Sequence, residues 1–297
     1  MRAPIGGSVL DKSIIAVVGG DRRQTVLANM LAAEGNTVYC SGFEKSAQQL
    51  VGTASTDPLT AAHMADIVIL PMPPTRDGRT LNAPLSTYRI ELNEEFCSAL
   101  AGKAVFAGMA ERLKAVSPAY ARLNLFDYGA SEGFLVRNAQ ATAEGALAEL
   151  IANYPGTVCG SDILISGSGR ITSFLAPMLR ALGGNVSVAA RNPSDRAKFL
   201  SLGMGAISFG RALRRAKEFS VIINTVPAMV LDSRFIDALS SDALLIELAS
   251  APGGIDIAAC EGRNIRVLQA PGLPGKYSPA AAAEIIKETV MSILEEG

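Results

Sequence analysis

Short, uninterrupted apolar runs alternate with helical stretches twice along this chain, and each cycle opens with a strand that ends in glycine. The first run is Ser13-Ile14-Ile15-Ala16-Val17-Val18, closed by Gly19-Gly20-Asp21. A helical segment near 23–34 and a strand near 37–40 follow, then Ile67-Val68-Ile69-Leu70 ending at Pro71, then Val105-Phe106-Ala107. Strands with no polar face must be covered on both sides, and strand–helix alternation is how a parallel sheet obtains that cover. The pattern then restarts. A helical stretch at 142–154 leads into a strand at 162–166, Gly167-Ser168-Gly169 and a helix near 171–182. Further strands are expected at 186–190, 221–224, 244–248 and 265–268, with helices near 195–202 and 235–239. The expected fold is α/β: two doubly wound Rossmann-like domains with mainly parallel sheets.

A chain of 297 residues has room for two such domains. The expected division is residues 1–140, a flavodoxin-like substrate domain, and 141–277, a dinucleotide-binding domain, joined near 138–155. The Ala-rich stretch 278–297 reads as a long helix that packs back on the first domain. Lys+Arg is 27 against Asp+Glu 28, so no basic excess exists to neutralise a phosphate backbone, and nucleic acid is not an expected partner. One histidine, His63, excludes a His-rich metal site and reads as structural or exposed. Cys40, Cys97, Cys159 and Cys260 form no CxxC pair, so free thiols are expected and no metal. Met1–Gly7 holds one basic residue and no apolar run follows it, so no signal peptide is expected; no uncharged apolar run reaches membrane-spanning length either. A cytoplasmic protein is the expectation, assembled as a homo-oligomer.

Gly167-Ser168-Gly169-Arg170-Ile171-Thr172 lies between a strand and a helix, the setting a dinucleotide fingerprint requires. Gly167 permits the tight turn, Gly169 lets a pyrophosphate approach the backbone, and the helix start offers free N–H groups. Thr172 stands at the third glycine position. An NAD site has an acidic residue at the end of the next strand, where this chain has Arg191-Asn192-Pro193-Ser194, with no carboxylate before Asp195. Arg191 and Ser194 suit a 2′-phosphate, so NADP is the expected cofactor, with NAD as the alternative. The later strands end in Asn224-Thr225-Val226-Pro227 and Glu247-Leu248-Ala249-Ser250, and the last is followed by Ala270-Pro271-Gly272-Leu273-Pro274-Gly275. Ligands in open α/β sheets lie beyond the carboxyl ends of strands. Asn224, Thr225, Pro227, Ala249, Leu273 and Pro274 are therefore expected around the cofactor.

In the first half, Gly19-Gly20-Asp21-Arg22-Arg23 reads either as a structural turn or as an anion contact. The long loop from Pro71 through Ser86 follows a buried strand, and Thr75, Arg76, Arg79 and Ser86 could bind carboxylates. At the junction, Thr142 can cap the following helix, or Asn138 can begin it. Glu144 then falls in a first helical turn, explained either by the helix dipole or by a role as proton acceptor. Thr142 is also a candidate substrate contact. Lys276 could reach a substrate carboxylate or a pyrophosphate.

Taken together these motifs resemble the dipicolinate synthase A chain family of spore-forming bacteria. The residues that carry the resemblance are IAVVGGDRRQ at 15–24, LPMPPTRDGRTLNAPLS at 70–86 and NAQATAEGA at 138–146. In the second half they are ISGSGR at 165–170, Ala190-Arg191, INTVP at 223–227, LASAPGG at 248–254 and APGLPGKYSP at 270–279. Departures are Thr172 at the usual small third-glycine position, Gln140-Ala141 where Ile-Pro is usual, and Cys159 where His is frequent. The resemblance implies oxidation of dihydrodipicolinate to dipicolinate with NAD(P)⁺, and a flavoprotein B chain as partner in the mother cell during sporulation. Losing a hydride and a proton makes that substrate ring aromatic, so the protein needs chiefly to clamp two carboxylates and hold the ring. Two other readings fit the same motifs. One is another two-domain NADP-dependent dehydrogenase, of the shikimate or 2-hydroxyacid kind; the second domain's lack of histidine speaks against the hydroxyacid kind. The other is a cofactor-binding structural component whose flavoprotein partner performs the redox step.

Overall fold

A computed structural model describes residues 13–296 of the chain. The expectation about Met1–Gly7 falls outside the described residues. In the first domain the elements are β1 (Ile14–Val18), α1 (Arg22–Ala33), β2 (Thr37–Ser41), β3 (Thr53–Ser55), α2 (Pro58–Met64) and β4 (Ile67–Ile69). They continue with α3 (Glu94–Leu100), β5 (Ala104–Ala107), α4 (Glu111–Lys114) and β6 (Leu125–Asp127). All six strands pair in parallel in the order β3-β2-β1-β4-β5-β6. Strand β1 shows why an all-apolar strand needs two covered faces. Ile15 and Val17 pack with Leu27 and Leu31 of α1, whereas Ala16 and Val18 pack with Ala61 and Ala62 of α2 and Phe96 of α3.

The helix α5 (Glu132–Asn153) leads into the second domain: β7 (Asp162–Ser166), α6 (Arg170–Ala181), β8 (Asn185–Ala189), α7 (Pro193–Ser201), β9 (Gly205–Ile207) and α8 (Phe209–Arg214). Then come β10 (Val221–Asn224), α9 (Ser233–Asp237), β11 (Leu244–Glu247), α10 (Ile257–Gly262) and β12 (Arg266–Gln269). This sheet is also parallel, ordered β12-β11-β10-β7-β8-β9. Counted within its own domain, each sheet runs 3-2-1-4-5-6, the order whose reversal point makes a ligand crevice at the carboxyl ends of strands 1 and 4. Ile163 and Ile165 of β7 face Leu175 and Leu179 of α6, and Leu164 faces Leu231 and Ile236 on the other side.

A short helix α11 (Leu273–Tyr277) and the long α12 (Pro279–Glu296) end the chain. The first compact unit comprises residues up to Asn138 and from Pro274 onward; the second is Ala139–Leu273. Ala283, Ile286 and Val290 of α12 join the core under α1. Lys287 pairs with Glu34, and Arg137 with Glu288, at the rim of that packing.

The expected helix start at the junction is absent. Helix α5 runs unbroken from Glu132, so Asn138 and Thr142 lie in its interior and cap nothing. Glu144 is not in a first turn, and the dipole rationale does not apply to it. The physical reason is an apolar stripe, Phe134, Ala139, Ala143, Ala146 and Leu150, that repeats at helical spacing straight through the expected break and is buried throughout. With no proline in the stretch, nothing ends the helix. Three short strands at sheet edges, β3, β6 and β9, carry no clear apolar signal and lie outside the strands expected from the sequence.

Candidate functional site

The carboxyl end of β7 turns at Gly167, whose φ of +106° is closed to most side chains. A Cβ there would lie 2.3 Å from Thr225 Oγ1. The Thr225 hydroxyl donates to Ser166 O at 2.8 Å, and the Thr172 hydroxyl donates to Gly167 O at 3.0 Å. Thr172 thus holds the turn by a hydrogen bond where a third glycine would allow only closer packing. Gly169 is the N-cap of α6 and offers no side-chain cap, and a Cβ built on it meets nothing within 4 Å. The start of this 12-residue helix thus has no side-chain cap, and the space beside its glycine is open to a close backbone approach.

The equivalent turn in the first domain has the same strand order and the opposite chemistry. Asp21 caps α1, accepting from Arg23 N at 3.0 Å, and Gln24 Oε1 accepts in return from Asp21 N at 3.1 Å. Arg23 closes on the same carboxylate through Nε and Nη2, both at 2.9 Å, and its Nη2 also donates to Met72 O at 3.1 Å. Cβ atoms at Gly19 and Gly20 would run into Leu81 and Gln24. A carboxylate already occupies the place an anion would take, so of the two readings of Gly19-Gly20-Asp21 the structure supports the structural turn.

Around the second-domain turn, Arg191 is exposed just beyond β8, and Asn192 caps α7 by accepting from Ser194 N at 2.9 Å. Ser194 is exposed, Ile171 half-buried and Arg170 exposed. Ser168 Oγ donates to Asp195 Oδ2 at 2.7 Å, so its side chain braces the loop. Asn224 is fully buried: its Oδ1 accepts from Ser166 Oγ at 2.6 Å and Val226 N at 3.1 Å, and its Nδ2 donates to Glu247 Oε1 at 2.7 Å. Asn224 is thus a positioner of the Thr225–Pro227 loop, with Pro227 exposed at its tip. Ala249 N donates to Glu247 at 2.9 Å, which fixes that loop as well. Leu273 and Pro274 are buried at the start of α11, where the chain leaves the second unit for the first.

The first domain contains a pocket of about 400 Å³ beyond the carboxyl ends of its strands, lined by Arg76, Asn82, Tyr88 and Arg89 among others. Asn82 organises it. Its backbone O accepts from Gly20 N at 2.9 Å, its Nδ2 donates to Pro73 O at 3.0 Å, and its Oδ1 accepts from Arg76 Nε at 3.3 Å. Tyr88 is tied to the end of β2 by a 3.0 Å hydrogen bond with Ser41. Asp77 builds the loop, accepting from Arg79 N at 2.9 Å and Thr80 N at 2.8 Å. The backbone N–H of Thr80, then that of Arg79, hold its carboxyl far below the usual range. Two expected carboxylate binders are corrected here. Thr75 is buried, with its hydroxyl donating to Asp77 and accepting from Gly78 N; Ser86 is buried and accepts from Tyr88 N at 3.2 Å. Both hold the loop from inside. Arg79 is exposed and does not line the pocket. Tyr88 and Arg89 escape the sequence reading because they follow the polar run that marks the loop; bridges pairing Thr75 with Leu81 and Thr80 with Glu91 fold them back over it.

Glu144 is exposed on α5 and accepts from Gln140 at 3.3 Å, and Thr142 is buried on the same helix. Lys276 is exposed, its ammonium 4.9 Å from the ring centre of Tyr277. His63 is exposed on α2 with Nδ1 2.8 Å from Leu59 O. Among the described residues no group of three or more His, Cys, Asp or Glu side chains is placed to hold a metal, and no helix is long and apolar enough to cross a membrane.

The family model for the N-terminal domain of the dipicolinate synthase A chain matches residues 14–128. The dipicolinate synthase A chain of Bacillus subtilis (strain 168) is 27% identical over 285 residues, covering 95% of this chain and 96% of the relative. The solved dipicolinate synthase A chain of Bacillus halodurans superposes with a TM-score of 0.85 at 26% identity, over 96% of this chain and 99% of that one. This chain is similar to the dipicolinate synthase A chains over nearly its whole length. The likeness spans both domains of the fold. That fold extends further: a transhydrogenase from Sinorhizobium meliloti shares it with a TM-score of 0.67 at 16% identity, covering 95% of this chain and 93% of that one.

Proposed function

We propose that this chain oxidises dihydrodipicolinate to dipicolinate (pyridine-2,6-dicarboxylate) with NADP⁺, NAD⁺ being the alternative cofactor. The observation that carries the reading is the contrast between the two glycine turns. The Gly167–Gly169 turn has an uncapped helix and open space, whereas the Asp21 turn is closed by its own carboxylate. Gly167, Ser168, Gly169, Arg170 and Ile171 would hold the pyrophosphate, and the loops at Thr225, Pro227 and Ala249 the nicotinamide half. Exposed Arg191 and Ser194 support the 2′-phosphate. The nicotinamide, when bound, accepts a hydride. The substrate gives up that hydride and one proton, and its ring becomes aromatic.

The pocket with Arg76 and Arg89 supports a dicarboxylate substrate, since guanidinium groups pair with carboxylates through two hydrogen bonds. Glu144 is the proposed proton acceptor, and Lys276 a further partner for a carboxylate. By family resemblance, a flavoprotein B chain is the proposed partner, in the mother cell of a sporulating bacterium, with this chain as a homo-oligomer.

The test is dipicolinate formation followed by ultraviolet absorbance, with the purified chain, freshly made dihydrodipicolinate and NADP⁺. Product from the chain alone is the expected result. Product formed only when the flavoprotein is added, with NADP⁺ not consumed, would transfer the redox step to the partner and reduce this chain to a cofactor-binding role.

A further inference from the structure

Glu247, the last residue of β11, is a buried carboxylate with only neutral partners. It is 4% exposed. Oε1 accepts from Asn224 Nδ2 at 2.7 Å and Ala249 N at 2.9 Å, and Oε2 accepts from Gly254 N at 2.8 Å and Ile255 N at 3.2 Å. Both oxygens only accept, the pattern of an ionised carboxylate. Three backbone N–H groups and one amide satisfy it, and none of them carries a positive charge. A buried charge without a countercharge is expensive, and a fold does not need one merely to tie two loops.

Its place in the sheet gives that charge a use. Ser166, Asn224 and Glu247 are in register across β7, β10 and β11, one row at the carboxyl ends. Neighbouring strands are about 4.8 Å apart, so Glu247 stands about 10 Å along this row from the Gly167 turn. Arg191 marks the other direction, toward β8. A dinucleotide whose pyrophosphate sits at the Gly167 turn, with its 2′-phosphate toward Arg191, extends its nicotinamide half over β10 and β11.

We propose that Glu247 sets the balance between oxidised and reduced cofactor by holding a fixed negative charge beside the nicotinamide site. This rests on the cofactor reading above and deepens it. The oxidised ring carries one positive charge and the reduced ring none, so the carboxylate favours the oxidised form. That is the form a dehydrogenase must bind first and the one its product must not outcompete. At the effective dielectric of a protein interior, a unit charge several ångströms away changes such an equilibrium by roughly tenfold or more.

The test is equilibrium binding of NADP⁺ and NADPH to the full-length chain, by calorimetry, for wild type, Glu247→Asp and Glu247→Gln. Loosened loops weaken both forms alike and cancel in the ratio of the two affinities, whereas the charge does not cancel. The expected result is a preference for NADP⁺ that falls roughly tenfold in Glu247→Gln and stays within about twofold in Glu247→Asp. An unchanged ratio in Glu247→Gln overturns the proposal. Should that variant not fold, the wild type decides alone: NADPH bound more tightly than NADP⁺ overturns it, and NADP⁺ bound at least as tightly upholds it. Wild-type protein that binds neither form would instead overturn the cofactor reading itself.

Discussion

Gly167 and Thr225 stand so close that a methyl group on the glycine would lie 2.3 Å from the threonine hydroxyl oxygen. The turn after β7 is thus shaped by the loop after β10, its neighbour in the sheet, and its φ of +106° adds a second bar to any side chain. Gly169 is the opposite case: φ is −78° and the space above it is open. Gly167→Ala is expected to destabilise the second domain by about 1–3 kcal/mol and to weaken cofactor binding. Gly169→Ala is expected to leave the melting temperature nearly unchanged while still weakening the cofactor roughly tenfold, because the methyl takes the phosphate's approach. Thermal melts and calorimetric titrations of the two variants check this; a Gly169→Ala protein with wild-type affinity would remove the pyrophosphate from this turn.

Arg191 is exposed beyond β8, and the acidic residue nearest in sequence, Asp195, is engaged by Ser168. Hydrogen bonds to a charged group contribute about 1.5–3 kcal/mol, or roughly ten- to hundredfold in affinity. Arg191→Ala should therefore lose about that factor for NADPH and little for NADH. Equal loss for both cofactors in a binding titration would exclude the 2′-phosphate role.

Arg76 and Arg89 line the first-domain pocket, and Asn82 orients Arg76 through its Nε. Arg76→Ala and Arg89→Ala should each raise the substrate KM by roughly tenfold or more while cofactor affinity is unchanged. Asn82→Ala should raise KM less than Arg76→Ala, since it frees the guanidinium without removing it. Initial rates at varied substrate, with cofactor saturating, read the difference.

Asp21 and Arg23 form the counterpart in the first domain. Arg23 is 7% exposed, and Asp21 supplies both its charge partner and the cap of α1. Asp21→Ala strands a buried guanidinium and opens the helix start, at a cost of at least about 2 kcal/mol. Cofactor affinity should not move, because the cofactor turn is in the other domain. Denaturant melts and titrations on the same protein separate the two effects.

The same residues show what can be read in advance. Central strands such as β1 and β7 announce themselves because burial on both faces leaves them wholly apolar at their centres. Edge strands such as β3 and β9 are half-covered and carry no such mark. The Gly167–Gly169 turn is legible because backbone geometry demands glycine. The break expected before Thr142 weighs a cap-forming residue above an alanine stripe that continues beneath it, and burial of the stripe prevails. Tyr88 and Arg89 cannot be assigned from spacing, since their place depends on how the 71–92 loop folds over itself. Glu247 reads in the sequence only as a polar strand end, because its four donors come from residues 224, 249, 254 and 255.

The four thiols give a check on the cores of both domains. Burial pushes the Cys40 and Cys260 thiols up to about 11, and burial raises Cys97 as well. Thiolate is the reactive form, so at about pH 8 these three hold their protons and are shielded, while Cys159 is exposed. A disulfide-exchange reagent at that pH should titrate one thiol per native chain within minutes and all four in denaturant. Cys159→Ser should abolish the fast phase and leave the melting temperature unchanged. Raising the pH toward about 10 should accelerate the slow thiols by a larger factor than a free cysteine, because their ionisation lies higher and a free thiol is almost fully ionised by then. A second fast thiol in the native protein would mean that the sheet around β2, the helix α3 or the helix α10 opens far more readily than its burial allows.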